Sequence, residues 1–347
     1  MGWIRFCWIG LLGLAAAPGL AGQQGVAPAP LVVVPDRERL SAVDDFVLQP
    51  LAPAATFEEQ VAEQVNVERF NCAVSGCPKP PLKLQANLIQ AAEEHSSSMA
   101  LNDYYSHLDL SVGCIDPGQR ILNAGYTGFN DWGENIAVGY TTPTAVMSGW
   151  MSSTGHRANI LGDCQAVFGT PCPHREMGIG YFLQSSDAAT VDRDCNSNCT
   201  CTDVTPPECG GVSESCSSGP HFHYWTQVFG ARGGTTGYPL IIEREKFQVA
   251  SAQVDLYVYQ PPGTGAQMRF ANETGPFSAF QPFAADVLDW NLSSGDGLKA
   301  VVAEVTTSSG TFRTCDRIWV SGSGDTSFIF ADGFECDGTG SWSALGS

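Results

Sequence analysis

Apolar positions recur at helical spacing in the first half of the chain and at two-residue spacing in much of the second. "FEEQVAEQVNVERF" follows Thr56, and Thr56-x-x-Glu59 is a capping-box pattern, so a helix is expected to open there. "QANLIQAAEEHSSSMALNDYY" sets Leu88, Ala91, His95 and Met99 along one stripe and predicts a second helix. "TTPTAVMSGWMSS" predicts a third, with Thr142 as N-cap, Pro143 at the first helical position, and Val146 and Trp150 on one face. This helix is expected to stop at Gly155 and to present His156 at its end. Two strand-like runs follow, "EMGIGYF" and "HFHYWTQVFG", the second placing His221 and His223 on one strand face. Beyond about residue 231 come short alternating runs: "PLIIERE", "FQVASAQVDLYVYQ", "AQMRFAN", "LKAVVAEVTT" and "TFRTCDRIWV". Turn formers such as "PPGTG", "NETGP" and "SSGDG" separate them, as in a sandwich. The chain therefore divides into a mixed α/β (α+β) domain over residues 56–231 and an all-β domain over 232–325.

Residues 1–21 have one arginine, the apolar run "FCWIGLLGLAAAP" and small residues Gly19 and Ala21 at the end, the pattern of a secretory signal peptide. Residues 22–55, rich in Pro, Ala and Val, suit an extended linker. A segment at about 184–220 carries Cys195, Cys199, Cys201, Cys209 and Cys216 among turn formers, with almost no large apolar residue. It is expected to be a disulfide-stapled insertion at a hairpin tip. Residues 326–347 form a tail.

The formal charge of −19 opposes binding to nucleic acid or to anionic lipid heads. Removal of Cys7 with the signal leaves twelve of thirteen cysteines, an even number in a chain sent to an oxidising space, so disulfides are expected. Cys315 and Cys336, the two thiols beyond residue 232, are expected to pair with each other. No later run is long and apolar enough for a transmembrane segment.

Candidate chemistry concentrates in the first domain. His107 ("YYSH"), Glu134 ("GENIA") and His156 ("TGHRANIL") could share a divalent metal or perform acid–base work; each histidine could equally support a helix C-terminus. Ser152, Ser153 and Thr154 stand near His156, but no nucleophile-elbow pattern accompanies them. Glu134 and His156 are the candidate catalytic pair if the protein is an enzyme, and Glu134→Gln is expected to leave the fold intact.

In order, "EEHSSSMALNDYYSH", "GQRILNAGY", "GENIAVGY", "VMSGWMSSTGHRANIL", "EMGIGYF" and "YWTQVFG" resemble the CAP superfamily of cysteine-rich secretory proteins, antigen 5 and plant pathogenesis-related proteins, in its bacterial form. The resemblance implies an α-β-α sandwich. It also implies a cavity lined by two histidines and two acids, where some members hold zinc. His107, Glu134 and His156 match three of the four positions. The fourth falls on Ser153, which removes one charge and leaves weak zinc binding as the expectation. Glu176 is a candidate substitute acid, with a solvent-facing strand position as the alternative; His95 is expected to complete the core or an internal hydrogen bond beside the cavity.

The family includes lipid and sterol carriers and ligands for channels and other proteins, which implies an extracellular binding module for a lipid, small ligand or protein. A metal-assisted or acid–base hydrolase is the alternative. The run Trp290-x-Leu292-x-x-Gly295-Asp296-Gly297-x-Lys299-x-Val301 resembles immunoglobulin-like repeats of bacterial surface proteins and implies a spacer or adhesion role. The tail "FIFADGFECDGTGSWS" resembles a C-terminal motif of secreted proteins of some Gram-negative bacteria.

Overall fold

The computed structural model describes residues 55–187, 190–192, 216–234 and 237–321. The expected signal peptide, most of the expected linker, the centre of the cysteine-rich segment, the tail and Cys336 lie outside them. The described residues hold six α-helices: α1 (Phe57–Asn71), α2 (Ala86–Leu101), α3 (Pro117–Asn123), α4 (Pro143–Ser152), α5 (Thr154–Leu161) and α6 (Cys164–Phe168). The first domain's main sheet comprises β1 (Lys83–Leu84), β3 (Phe129–Val138), β4 (Glu176–Leu183) and β7 (His223–Arg232), in the order β1-β4-β7-β3. A smaller sheet holds β2 (Tyr104–Tyr105), β5 (Thr190–Asp192) and β6 (Cys216–Ser218).

Local chemistry sets the helix starts. Thr56 and Glu59 close the capping box of α1, and Thr142 accepts from Ala145 N ahead of Pro143 in α4. Asp116 caps α3 by accepting from Gln119 N, with Pro117 next; this cap-and-proline signal marks a helix that the hydrophobic pattern missed. The third helix does not run to Gly155. It breaks at Ser153, whose extended backbone (φ −92°, ψ 125°) ends α4 and starts α5, so Gly155 and His156 lie in the first turn of a new helix. His156 therefore gains nothing from a helix C-terminus. His221 and His223 do not share a strand face either, because Phe222 takes φ 61° and β7 begins only at His223.

Helices cover both faces of the main sheet. On one, α1, α4 and α5 pack Val61, Val65, Val146, Trp150 and Ile160 against Ile179, Trp225 and Phe229. On the other, α2 and α3 bring Leu88, Ala92 and Ile121 against Val228. Glycine sets the spacing between α2 and the sheet: an added Cβ at Gly178 would lie 2.0 Å from Leu88 C, and one at Gly180 would lie 2.2 Å from Ala92 C. Cys72–Cys77 staples the end of α1, and Cys164–Cys172 holds α6 to the loop after it; Cys114 and Cys315 are also disulfide-bonded.

The described residues of the second domain form two sheets. One contains β8 (Leu240–Ile242), β10 (Gln253–Val258) and β13 (Asp286–Asn291). The other contains β9 (Gln248–Val249), β11 (Gln267–Asn272), β12 (Gln281–Pro282), β14 (Gly297–Thr307) and β15 (Gly310–Val320). Leu256 and Val258 from the first meet Phe270, Val301, Ala303 and Ile318 from the second in one core. The domains touch through Asn66 Nδ2 to Arg244 O (2.9 Å), Tyr259 Oη to Pro81 O (2.9 Å) and Phe247 N to Glu63 Oε1 (2.6 Å).

Gly178→Ala should destabilise the first domain by about 3 kcal/mol, because a rigid helix backbone occupies the methyl's place. Urea unfolding followed by circular dichroism checks this, and an unchanged midpoint would refute the close helix–sheet contact.

Candidate functional site

The site is built around Glu134, at the centre of the edge strand β3. Its carboxylate is buried (3 % exposed) and both oxygens are engaged. Oε1 accepts from His107 Nδ1 at 2.8 Å, and Oε2 accepts from Arg120 Nη2 at 2.5 Å. An ionised carboxylate can only accept, so His107 donates to it through Nδ1. Arg120 Nη1 also donates to His107 O (2.8 Å) and Ile115 O (3.1 Å). One guanidinium thus neutralises Glu134 and fixes the segment that carries His107.

Electrostatics follow from this packing. Burial pushes the Glu134 carboxyl up, but Arg120, the His107 hydrogen bond and the nearby histidines outweigh it and hold it down at about 2. Burial, with His107 adding to it, lowers His156 to about 3. Burial and then the Arg120 charge lower His95 to about 3. The two inner imidazoles are therefore neutral at physiological pH. His95 donates through Nε2 to Ser106 O at 2.9 Å, and its buried Nδ1 has no hydrogen-bond partner among the described residues.

His107 and Glu134 are in direct contact, and His156 lies within the electrostatic reach of His107. Ser153 is buried at the α4–α5 break. Ser152 donates to Gly149 O (2.7 Å) within its own helix, and Arg157 donates to Met151 O (3.0 Å). Glu176 is neither solvent-facing nor joined to this group. It is buried across β7 from Glu134, where it pairs with Arg232 (2.5 Å) and accepts from Tyr126 Oη (2.6 Å).

Sequence reasoning missed Arg120 and a buried amide chain. Asn135 Nδ2 donates to Gln227 Oε1 (2.9 Å) and His156 O (3.2 Å); Asn159 Nδ2 donates to Asn135 Oδ1 (3.0 Å) and Glu134 O (3.2 Å). It also passed over His174, buried against Phe229 and 3.2 Å from Asp131 Oδ2. The signal available for Arg120 was the Asp116–Pro117 helix start, which places it one turn into α3. Nothing local marks the amides, which sit on strand and helix positions that would otherwise be apolar.

As arranged, these donors do not fit zinc. Both Glu134 oxygens are committed, and the fixed Arg120 charge stands where it opposes a dication. Among the described residues, no group of three His, Cys, Asp or Glu is placed to hold a metal ion.

The profile of the cysteine-rich secretory protein family, CAP, matches residues 62–170, which include His95, His107, Arg120, Glu134 and His156. The chain is 33% identical over 132 residues to the uncharacterized protein YkwD of Bacillus subtilis strain 168, covering 38% of this chain and 45% of that protein. It is 31% identical over 106 residues to the uncharacterized membrane protein YlbC of the same organism, covering 30% and 28%. The matches thus span less than half of either relative. An extracellular protein containing a SCP domain from Bacillus anthracis, solved by crystallography, aligns at 22% identity and a TM-score of 0.32 over 50% of this chain and 39% of that one. On the sequence matches, residues 62–170 of this chain, within its α-β-α domain, are similar to CAP domains.

Proposed function

We propose that this chain is exported and acts outside the cell as a binding protein for a lipid, small ligand or protein. The CAP domain presents the His107 side of the Glu134 cluster, and the β domain serves as an immunoglobulin-like spacer. The observation that carries this reading is the saturation of Glu134: a carboxylate with both oxygens engaged and a pKa of about 2 is a poor general base near neutrality. The Ser152 hydroxyl, turned back onto its own helix at Gly149 O, is not offered to His156 as a nucleophile, which weakens the hydrolase alternative. Export rests on the signal-like first 21 residues; no described helix is long and apolar enough to cross a membrane.

The purified protein should hydrolyse none of a peptide, ester and glycan panel, and should hold no stoichiometric zinc at this site, so that metal content is the same in wild type and His107→Ala/His156→Ala. Turnover that disappears with His156→Gln while the fold persists, or stoichiometric zinc lost in the double variant, would overturn the binding reading.

Glu134→Gln is not the mild change that residue types alone suggest. It leaves the buried Arg120 guanidinium without its counter-charge and should cost about 3–5 kcal/mol. Glu134→Gln/Arg120→Met should recover part of that loss, and a double-mutant cycle in urea measures the coupling. Purely additive losses would refute the pairing.

Acid should weaken the domain in two overlapping steps. His156 and His95 have folded pKa values depressed to about 3, so their contribution is complete above the ordinary histidine value and is lost as pH falls from about 6.5 toward 3. Glu134 is depressed to about 2, so its contribution is lost from about 4.5 downward. His156→Gln should flatten the fall in stability between pH 6.5 and 4.5; an identical slope in the variant would contradict a neutral, buried His156.

A further inference from the structure

The two domains meet at a buried cluster that the CAP site does not use. Lys83 on β1, Asp316 on β15 and Glu245, at the end of the turn Glu243–Glu245, come together there. Lys83 Nζ contacts Asp316 Oδ1 and lies 3.1 Å from Glu245 Oε1. Exposure of the three side chains is 20 %, 3 % and 9 %. Backbone groups hold both acids: Glu245 Oε1 accepts from Leu84 N (3.0 Å), Asp316 Oδ2 from Ile242 N (2.6 Å), and Asp316 Oδ1 from Arg317 N (2.7 Å).

The backbone that delivers Glu245 is unusual. Glu243, Arg244 and Glu245 take φ values of 45°, 58° and 64°, three consecutive left-handed residues, none of them glycine. Such a conformation costs about 1–2 kcal/mol per residue. It is held from the CAP side by Asn66 Nδ2 to Arg244 O and by Arg244 Nη2 to Lys79 O (3.0 Å). The result is one amine and two carboxyls in a water-poor seam, with one negative charge in excess.

We propose that Lys83 and Asp316 condense into an amide that covalently joins the two domains, with Glu245 relaying the protons. The Lys83 ammonium passes one proton to the Asp316 carboxylate, giving a neutral amine and a carboxylic acid. The Nζ lone pair attacks Asp316 Cγ and forms the Nζ–Cγ bond. Glu245 takes a second proton from Nζ and delivers it to the departing hydroxyl, so the Cγ–O bond breaks and one water leaves; nothing is oxidised or reduced. Ile242 N–H is placed to stabilise negative charge on the Asp316 oxygen during the attack.

Two physical points favour the step. The ionised cluster keeps three charges out of water, which is costly, whereas the amide is neutral. Burial, with Asp316 adding to it, raises Glu245 to about 7 against the opposing pull of Lys83, so it can both accept and donate a proton near neutrality. Burial pushes Lys83 down, but the two carboxylates outweigh it and hold it up, so the transfer of its proton to a cluster carboxylate is the costly first step.

Intact-mass spectrometry of the purified mature chain tests this directly. The wild type should be lighter by one water than its disulfide-bonded sequence, and a digest should yield one branched peptide joining Lys83 to Asp316. Lys83→Arg should have its full sequence mass and no branched peptide. Asp316→Asn should lose one ammonia instead of water. Folded wild type at full mass after prolonged incubation at neutral pH overturns the proposal. Glu245→Gln should leave the domains folded and unlinked; if it links as fast as wild type, the relay assignment falls.

Discussion

The Glu134 charge organises the first domain. A carboxylate buried to this degree is costly unless its lone pairs and its charge are answered at once. Arg120 and His107 answer both, and they come from a helix and a loop that lie over the same face of the sheet. Because Arg120 also holds the carbonyls of His107 and Ile115, the requirement of one carboxylate fixes α3, the segment before it and the imidazole together. The neutral state of His95 and His156 follows from the same burial.

β3 is an edge strand, and its outer carbonyls need partners that no further strand among the described residues supplies. Side chains from both layers provide them. Tyr105 Oη and Trp150 Nε1 donate to Ile136 O at 3.1 and 3.2 Å, and Asn159 Nδ2 donates to Glu134 O. The two layers therefore converge on one rim, and this explains how His107 and His156, from segments on different sides of the sheet, influence each other. The opposite edge, β1, is treated differently. There Lys83 and Leu84 meet Glu245 of the second domain, so one edge of the sheet carries the candidate site and the other carries the domain junction.

Much of the fold was legible in local patterns. Thr56–Glu59 and Thr142–Pro143 mark helix starts through hydrogen bonds made within a few residues, and the Leu88, Ala91, His95 and Met99 stripe is buried as its spacing requires. Alternation located β11, β14 and β15, because a sandwich strand has one face in the core. The pairing of His107 with Glu134 was foreshadowed only as a grouping of residue types and motif order.

What the chain determined by itself was where elements begin, which faces are apolar, and which residues could do chemistry. Tertiary structure decided which of them met. Arg120 became the counter-charge of Glu134, Glu176 went to Arg232, and Lys83 was joined to acids more than 160 positions away in the sequence. Ser153, not Gly155, broke the helix. The reason is physical: caps and periodicity are short-range, whereas a buried charge takes whichever opposite charge the packed layers bring within reach, and no local pattern records that choice.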